Sequence, residues 1–303
     1  RIKALVDKNY LDGVSTLDIV KMQRHILGLE TFNSPWHYLA ADVTGDKRVT
    51  AADVAALRRL ILGVDSKYKS NLSWSFVEST YQFPVPDDPW YEPLPTEFTI
   101  VGLPGDMMYL DFKGVKVGDV SQTTWNGFSN IETRSGKNIQ LSMDMVEGEN
   151  RVAIRAKEAS ALNGFQFTLR FNPHKAHLIA VRSGQLRIEE DEIGWNQAAN
   201  GYVLVSWNTA ELTHVEAGEV LFYLEFDKEL NKTDAQDIDL NSDILHAEAY
   251  VEGKDIYGIE LSSDAVTQNA DVLFGDPVPN PFTQSTQLKF FLRQSAEVVY
   301  SIA

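Results

Sequence analysis

The sequence contains no cysteine, no long hydrophobic run and no familiar catalytic signature. The absence of cysteine from 303 residues excludes disulfides, thiolate metal ligands and a cysteine nucleophile. No run of about 18 apolar residues is present, so no membrane-spanning helix is predicted. The Gly-x-Ser-x-Gly, His-Glu-x-x-His, P-loop and dinucleotide-binding patterns are also missing. We therefore predict that the chain is not an enzyme.

Basic residues are too few to balance the acidic ones. Lys and Arg number 27 against 43 Asp and Glu, which gives a formal net charge of −16. This charge disfavours nucleic acid and anionic membranes as partners and suits a protein that binds cations. With 44% hydrophobic and 11% aromatic residues, the chain can form folded cores, and its length favours two or three domains. Because the chain opens without the long apolar core of a signal peptide and ends within an apolar alternation, we expect a fragment of a longer polypeptide.

The strongest positive signal is a duplicated twelve-residue loop, each copy of which leads into a helix. The two loops are residues 7–18 (loop 1) and 42–53 (loop 2), 35 positions apart. Each is followed by apolar residues at helical spacing, and Gly28 and Gly63 stand where glycine caps end helices. Loop and helix together form what we call the first repeat and the second repeat.

Loop 2 has the ligand spacing that a calcium ion requires. A hard dication takes six to eight oxygen ligands, and a tight loop supplies them from positions 1, 3, 5, 7, 9 and 12. In loop 2 these positions are Asp42, Thr44, Asp46, the backbone carbonyl of Arg48, Thr50 and Asp53. Three carboxylates that converge without a cation repel one another, so we expect calcium binding to be coupled to folding. The alternative is that these aspartates only cap helices and form turns.

Loop 1 departs from this pattern. It keeps Asp7, Asn9 and Asp18, but Leu11 stands at position 5 and the glycine has moved from position 6 to position 7. Asp12 as a substitute ligand, a partial site and simple capping aspartates are the open alternatives. One calcium ion is therefore predicted in loop 2, and a second ion in loop 1 is left open.

The paired loop and helix resembles the dockerin type I family, in which an F-hand calcium loop and its helix are duplicated with near two-fold symmetry. The resemblance covers roughly residues 1–65. In that family, loop positions 10 and 11 contribute to the face that binds a protein partner. The resemblance thus implies a partner-binding face at Thr16, Leu17, Ala51 and Ala52. Because the two pairs differ, the repeats need not bind alike.

The segment after the repeats interleaves aromatic residues with prolines. This composition, densest at 74–93, indicates extended chain laid against a surface, and we expect residues 66–122 to form a connector packed on the repeats. A stacking platform for sugar is the alternative, whereas the acidic residues nearby disfavour nucleic acid. A strand and turn at 111–120 close this segment.

From about residue 138, apolar residues alternate with a period of two. Short strands are predicted at 139–145, 151–156, 164–171, 178–183, 202–208, 220–226 and 243–250. Such a series is typical of an antiparallel β-sandwich. The segments at 164–173, 201–207 and 218–226 resemble strands of cohesin-like domains, and the resemblance covers roughly residues 136–265. It implies a nine-stranded jelly roll that works by binding, a fold that carbohydrate-binding modules share.

Two sets of side chains separate protein docking from other functions. Exposed coplanar tryptophans, drawn from Trp90, Trp125, Trp195 and Trp207, would favour sugar binding, whereas buried ones would favour protein docking. A glycosidase using Glu189 or Asp191 would need paired carboxylates about 5 to 10 Å apart in a cleft. We interpret that acidic run as a solvated loop, and His174 and His177 as structural.

The last 32 residues carry a second family signal. Pro-Asn-Pro-Phe at 279–282, followed by alternating apolar residues, resembles the start of the type A sorting domain of the Bacteroidetes type IX secretion system. The resemblance implies export across the outer membrane to the cell surface and contact with the export machinery. The domain would be truncated, because its later strands are missing.

These observations predict a mixed multidomain chain. Its parts are a small α-helical F-hand dockerin pair (1–65), the connector (66–122), an antiparallel cohesin-like β-sandwich (136–265) and a partial C-terminal β-domain (272–303). We expect a non-catalytic, calcium-stabilised assembly or adhesion region of a secreted surface protein. Its partner would be a cohesin-like or dockerin-like module in the same chain or a neighbouring copy. The alternative is a carbohydrate-binding accessory region of a large extracellular glycoside-active enzyme, with polysaccharide as partner.

Overall fold

The computed structural model describes residues 1–102, 105, 110–121, 136–252, 255–262, 272–274 and 290–292. The chain divides into two compact units, Arg1–Ser263 and Asp264–Ala303. Within the described residues, no helix combines the length and the apolar character needed to cross a membrane.

Three helices form the N-terminal part: α1 (Thr16–Ile26), α2 (Pro35–Ala41) and α3 (Ala51–Ile61). Both repeat helices begin with a capping box, in which the N-cap hydroxyl and an acidic side chain three residues later satisfy backbone N–H groups at the helix start. The acidic partner is Asp18 in α1 and Asp53 in α3. Position 12 of each loop therefore also caps its helix.

A two-stranded antiparallel sheet, whose strands lie far apart in the sequence, covers the helices. Strands β1 (Trp74–Glu78) and β2 (Phe112–Lys116) pair in antiparallel fashion. Val77 and Val115 are fully buried in the same apolar cluster as Leu57 of α3. Trp90 and Leu94 pack against this cluster, so part of the aromatic segment lies on the helices.

The remaining strands of the first unit join into one large sheet. Its members are β3 (Asn138–Met145), β4 (Arg151–Ala156), β5 (Ser160–Arg170), β6 (Leu178–Ser183), β7 (Ile193–Gly194), β8 (Tyr202–Val215), β9 (Val220–Phe226), β10 (Asp239–Asn241), β11 (Glu248–Val251) and β12 (Asp255–Ser262). A short helix, α4 (Lys232–Ala235), precedes β10. The hydrogen-bonded order is β6-β9-β4-β3-β12-β11-β5-β8-β7, with β10 also on β5.

The sheet curves back on itself around one core. Phe222 on β9 lies 6.0 Å from both Phe165 and Phe167 on β5, measured between ring centroids. Four strands separate β9 from β5 along the hydrogen-bonded path. Contact between their side chains therefore requires the two ends of the path to face each other, and both sets of residues belong to one buried apolar cluster.

The predicted strands differ from the observed ones in several respects. The predicted segment 243–250 is wrong at its start, because the side chain of Thr168 accepts the backbone N–H groups of Ile244 and Leu245 and holds them in a turn. The segment at 202–208 continues to Val215 as part of β8. The sheet is mostly, but not wholly, antiparallel, because β12 pairs with β3 in parallel.

In the second unit, the described strands β13 (Val272–Phe274) and β14 (Phe290–Leu292) form an antiparallel pair. The Pro-Asn-Pro-Phe segment at 279–282 lies outside the described residues. The sorting domain therefore stays a prediction.

Candidate calcium loop and docking interface

Loop 2 brings its three predicted carboxylates together. Oxygen atoms of Asp42, Asp46 and Asp53 lie within 4.8 Å of one another. In the described part of the chain, these three carboxylates form the one cluster of acidic or histidine side chains that could hold a metal ion. Asp42 and Asp53 are buried, whereas Asp46 is exposed. Burial and then the charge of Asp53 raise the pKa of Asp42 to about 6. This repulsion is what a divalent cation would relieve.

The backbone of loop 2 is wound tightly around these carboxylates. The carboxylate of Asp42 accepts the N–H groups of Asp46 and Lys47, each at 2.9 Å. Gly45 and Lys47 adopt left-handed conformations with φ of 75° and 67°. Such a conformation suits glycine but strains lysine, which stands at position 6 of the loop.

The other predicted ligands of loop 2 lie against Asp53. The hydroxyls of Thr44 and Thr50 donate to its carboxylate at 2.9 and 3.1 Å. Arg48 lies within the loop and donates its N–H to Asp46 at 3.0 Å. The donor set is thus made of hard oxygens, which is the chemistry that calcium prefers, and these residues fit a calcium ion.

Loop 1 does not gather its predicted ligands in the same way. Asp7 is exposed and accepts the Tyr10 hydroxyl, and Asn9 is exposed with a φ of 53°. Asp18 is fully buried and accepts the N–H groups of Ser15 at 2.8 Å and Ser121 at 2.7 Å. Burial and then the charge of Asp119 raise the pKa of Asp18 to about 7.

The first repeat is seated on strands β5 and β8. The N–H and hydroxyl of Thr16 both donate to the side-chain oxygen of Gln166, at 2.8 and 2.9 Å. The same hydroxyl lies 2.7 Å from the hydroxyl of Ser206. Leu17 packs with Tyr250 in a separate small buried cluster. Both predicted partner-binding residues of this repeat are therefore buried in a contact with the sheet.

Equivalent positions of the two repeats meet at one side chain of β8. Asn208 donates to the Gln23 side chain at 2.6 Å and accepts from the Arg58 guanidinium at 2.8 Å. Gln23 and Arg58 are 35 positions apart, the repeat period. Arg58 also pairs with Asp191 at 2.6 Å and lies 3.9 Å from Glu192. One residue of the sheet, Asn208, thus contacts both repeat helices.

Burial dominates the electrostatics of Glu192. It raises the pKa of this carboxyl to about 7, and nearby hydrogen bonds and the charge of Arg58 only partly oppose the shift. Glu192 accepts the N–H of Glu189 at 2.9 Å, which caps the turn that presents Asp191. The interpretation of residues 189–192 as a solvated loop is therefore partly wrong, because Glu192 is only 4% exposed and lies beside the interface.

Apolar and backbone contacts complete the interface. Leu204 of β8 belongs to the buried cluster of the helices. A methyl group added at Gly194 would lie 2.3 Å from the carbonyl oxygen of Leu62, so the two backbones approach too closely for any side chain. Asn196 donates to the carbonyl of Gly63 at 2.8 Å, and this glycine also caps the end of the second repeat helix.

The second repeat leaves its predicted partner-binding pair uncovered. Ala51 and Ala52 are exposed, in contrast to Thr16 and Leu17. Of the two repeats, only the first therefore presents its pair to the sheet.

Residues tested for other functions have structural surroundings. Trp207 is buried and donates to the carbonyl of Arg187 at 2.9 Å, while Trp195 and Trp90 are partly buried against the two cores. Trp125 lies outside the described residues. His177 pairs with Asp227 at 3.0 Å. By the criterion set out above, the described tryptophans favour protein docking over a sugar platform.

Sequence reasoning missed the sheet side of the interface. Its polar residues, Gln166, Ser206 and Asn208, are all nearly buried. The available signal is the alternation along β8, where Leu204, Ser206 and Asn208 share one face by the period of two. Two buried polar residues on one face of a strand indicate a covered face with hydrogen-bonding partners.

Comparison with known proteins identifies the repeats. Residues 7–62 match the family described as Dockerin type I domain. No curated relative matches the chain significantly. Because a dockerin type I domain is a protein-docking module, the match supports a docking or assembly role for this chain.

Solved structures similar to part of the chain are cohesins and their complexes. The third cohesin ScaC with the ScaB dockerin from Acetivibrio cellulolyticus shares 15% identity over 41% of this chain and 98% of that chain, with a TM-score of 0.29. The seventh ScaB type I cohesin from Pseudobacteroides cellulosolvens shares 16% identity over 44% of this chain and 98% of that chain, with a TM-score of 0.30. A type I cohesin–dockerin complex from Clostridium thermocellum shares 9% identity over 42% of this chain and 90% of that chain, and its TM-score is also 0.30. At these values the similarity alone identifies no function for this chain.

Proposed function

We propose that this chain is a non-catalytic, calcium-stabilised docking module in which the dockerin region binds a cohesin-like β-sandwich of the same chain. The observation that carries the proposal is the seating of Thr16 on Gln166 and Ser206, at the loop position where dockerins contact their partners. Polar side chains that are nearly buried and paired across two elements fit a specific contact better than incidental packing does.

The charge pattern supports the same docking geometry. Arg58 of the second repeat faces Asp191 and Glu192, so a basic group on the helices meets an acidic group beside the sheet. Complementary charges of this kind fix register and disfavour wrong partners. Close approach of the Gly194 and Leu62 backbones adds a shape constraint. The sandwich fold is proposed from the contact between Phe222 and the aromatic residues of β5.

Calcium is proposed to hold loop 2 and, through it, the start of α3. Asp53 is both a candidate ligand and the acidic member of the capping box of α3. A cation bound there would fix the helix that carries Arg58 to the interface. We propose further that the module works outside the cell, as the dockerin resemblance implies. Export through the type IX system is proposed on the resemblance of residues 279–282 alone.

The docking can be tested by charge reversal in the full chain. Arg58→Glu and Asp191→Arg should each weaken the contact, and the double variant should recover part of the loss, because the new pair has the same geometry with exchanged charges. The contact is read by introducing a protease site between residues 121 and 136, cutting, and asking whether the two pieces co-elute on size exclusion. Arg59→Glu is the matched control, because Arg59 pairs with Asp65 of its own repeat.

The outcomes distinguish docking within one chain from docking between copies. Pieces that co-elute and an uncut chain that sediments as a monomer support docking within the chain. An uncut chain that associates with increasing concentration indicates docking between neighbouring copies. Pieces that separate without any substitution contradict the proposal.

A further inference from the structure

The segment that joins the two repeats is held against α1 by one phenylalanine and two histidines. Residues 27–34 connect α1 to α2, and Phe32 of this segment packs against the buried cluster of the helices. The imidazole of His25, in the last turn of α1, stacks on the Phe32 ring with centroids 3.9 Å apart and planes 5° apart. His37 of α2 also stacks on Phe32, at 5.6 Å and 29°. One aromatic side chain of the segment therefore contacts an imidazole from each flanking helix.

A hydrogen bond fixes the protonation state of His25. The backbone N–H of Phe32 donates to Nδ1 of His25 at 3.1 Å. Nδ1 is therefore unprotonated, and the neutral ring carries its proton on Nε2. Protonation of the ring would add a hydrogen to Nδ1, so that two N–H groups would face each other and the Phe32 N–H would lose its acceptor. The observed contact thus requires the neutral form of His25.

Burial acts on both histidines in the same direction as this hydrogen bond. It lowers the pKa of His25 from its ordinary value of 6.5. Burial and then the charge of Lys21 lower the pKa of His37, while a hydrogen bond with the Ser34 backbone and the charge of Asp119 oppose the shift. Both rings are therefore mostly neutral in the folded chain at pH 7, and both gain charge in acid.

The other titratable groups around the two rings belong to α1, the connecting segment and α2. Arg24 of α1 pairs with Glu30 of the segment at 3.1 Å. Tyr38 of α2 meets the His25 ring edge-on at 5.1 Å, and burial and then the charge of Asp87 raise the pKa of its hydroxyl. The Tyr38 hydroxyl therefore stays neutral throughout the acid range, and the histidines are the groups of this cluster that change charge just below pH 6.5.

Two features favour the charged form of His25 and oppose its release. The face of the Phe32 ring attracts a cation, and the carbonyl groups at the end of α1 carry partial negative charge. Neither feature restores an acceptor to the Phe32 N–H, because both act on the ring as a whole and not at Nδ1. Loss of this hydrogen bond together with the cost of burying a charge outweighs them, in agreement with the lowered pKa of His25.

We propose that His25 is an acid-sensitive latch, which holds residues 27–34 on α1 when its ring is neutral and releases them when its ring is protonated. Leu60 stands at the equivalent position of the second repeat, 35 residues later, and is buried. The latch is therefore a property of the first repeat alone. None of its residues is a candidate calcium ligand or one of the docking contacts described above, so the proposal does not depend on either.

NMR titration of the full chain tests the latch without any variant. At pH 8 the nitrogen shifts of His25 should show Nε2 protonated and Nδ1 unprotonated. As the pH falls, His25 should titrate with a midpoint below 6.5, and the amide proton of Phe32 should shift with the same midpoint. Between 6.5 and that midpoint, protection of the Phe32 amide against exchange, corrected for the intrinsic rate, should fall about ten-fold per pH unit. A protonated Nδ1 at pH 8, a midpoint at or above 6.5, or a Phe32 amide that does not follow His25 would overturn the proposal.

The second test gives the first repeat the residue of the second. His25→Leu copies Leu60 and removes the titrating ring. From pH 8 to pH 5, at saturating calcium, the urea midpoint of the unsubstituted chain should fall relative to that of His25→Leu. The reason is that a histidine whose pKa is lowered by folding binds fewer protons in the folded chain than in the unfolded chain, so its contribution to stability is lost as the pH falls below 6.5.

The matched control for this test is an exposed histidine. His174→Leu should keep the pH dependence of the unsubstituted chain, because His174 is exposed and lies on the sheet side of the molecule. A His25→Leu variant with the same pH dependence as the unsubstituted chain would overturn the proposal. Where His25→Leu fails to fold, the NMR titration of the unsubstituted chain decides.

Discussion

Replacing Arg58 by methionine would remove the one positive charge that faces Glu192 at the docking interface in the described structure, while keeping most of the apolar stem. Glu192 is 4% exposed, and burial raises the pKa of its carboxyl to about 7 from 4.5. A carboxyl with a raised pKa keeps its proton in the folded chain at pH values where the unfolded chain has lost it. The free energy of unfolding therefore falls as pH rises from about 4.5 to 7, by roughly 3 kcal/mol in total.

The Arg58→Met change should deepen this loss. Arg58 lowers the pKa of Glu192, so its removal raises that pKa further, and each added unit costs about 1.4 kcal/mol above pH 7. The lost hydrogen bonds to Asn208 and to Asp191, which is largely exposed, add about 1 to 2 kcal/mol at every pH. We expect a destabilisation of about 1 to 2 kcal/mol at pH 5 and roughly 1 to 2 kcal/mol more at pH 8.

Urea unfolding at saturating calcium, at pH 5 and pH 8, measures both values. Arg59→Met is the control, because Arg59 pairs with the carboxylate of Asp65 away from Glu192, and the pKa of Asp65 is already lowered. That variant should lose little stability, because the pair is exposed to solvent, and should show no difference between the two pH values. A loss for Arg58→Met that is the same at pH 5 and pH 8 would refute the assignment of Glu192 as a buried carboxyl held in check by Arg58.

Four further substitutions probe the loop and the interface. Asp46→Asn should abolish the calcium-dependent rise in melting temperature, which at a calcium concentration 100-fold above Kd corresponds to about 2.7 kcal/mol. Lys47→Gly should stabilise the chain by about 1 kcal/mol in urea, because φ is 67° there; a loss would contradict the strain argument. Thr16→Val should cost about 1 to 2 kcal/mol by removing the interface hydroxyl, and an unchanged urea midpoint would argue against its role. Gly194→Ala should cost about 1 to 3 kcal/mol, since the added methyl meets the Leu62 carbonyl oxygen, and amide exchange of α3 should rise with it.

Local features of the fold followed from the sequence. Predicted strands at 151–156, 178–183 and 220–226 have the same bounds as β4, β6 and β9, because turn residues flank them and the alternation inside is regular. The carboxylates of loop 2 converge as predicted because a twelve-residue spacing brings alternate positions to one point.

Contacts between parts of the chain that are distant in sequence could not be predicted. The hydrogen bonds of Thr16 to Gln166 join residues 150 positions apart, and no local propensity specifies such a pair. The parallel pairing of β12 with β3 is equally non-local. Lys116 is a further case, because a lysine at the end of a strand usually indicates an exposed position, whereas here it is buried and donates to the backbone carbonyl of Tyr10 in another segment.

Burial of the first repeat's docking pair against the sheet has a consequence for competition. A tethered partner presents an effective concentration on the order of 1 mM. If the isolated contact had a Kd of about 1 µM, a competing partner in solution would bind the first repeat roughly 1,000-fold more weakly than it binds a free dockerin. The exposed pair at Ala51 and Ala52 is not subject to this competition. With the first repeat covered by the sheet, a soluble partner would therefore bind the second repeat first. Cutting the chain between the helical part and the sheet, and separating the pieces, would expose the first repeat again.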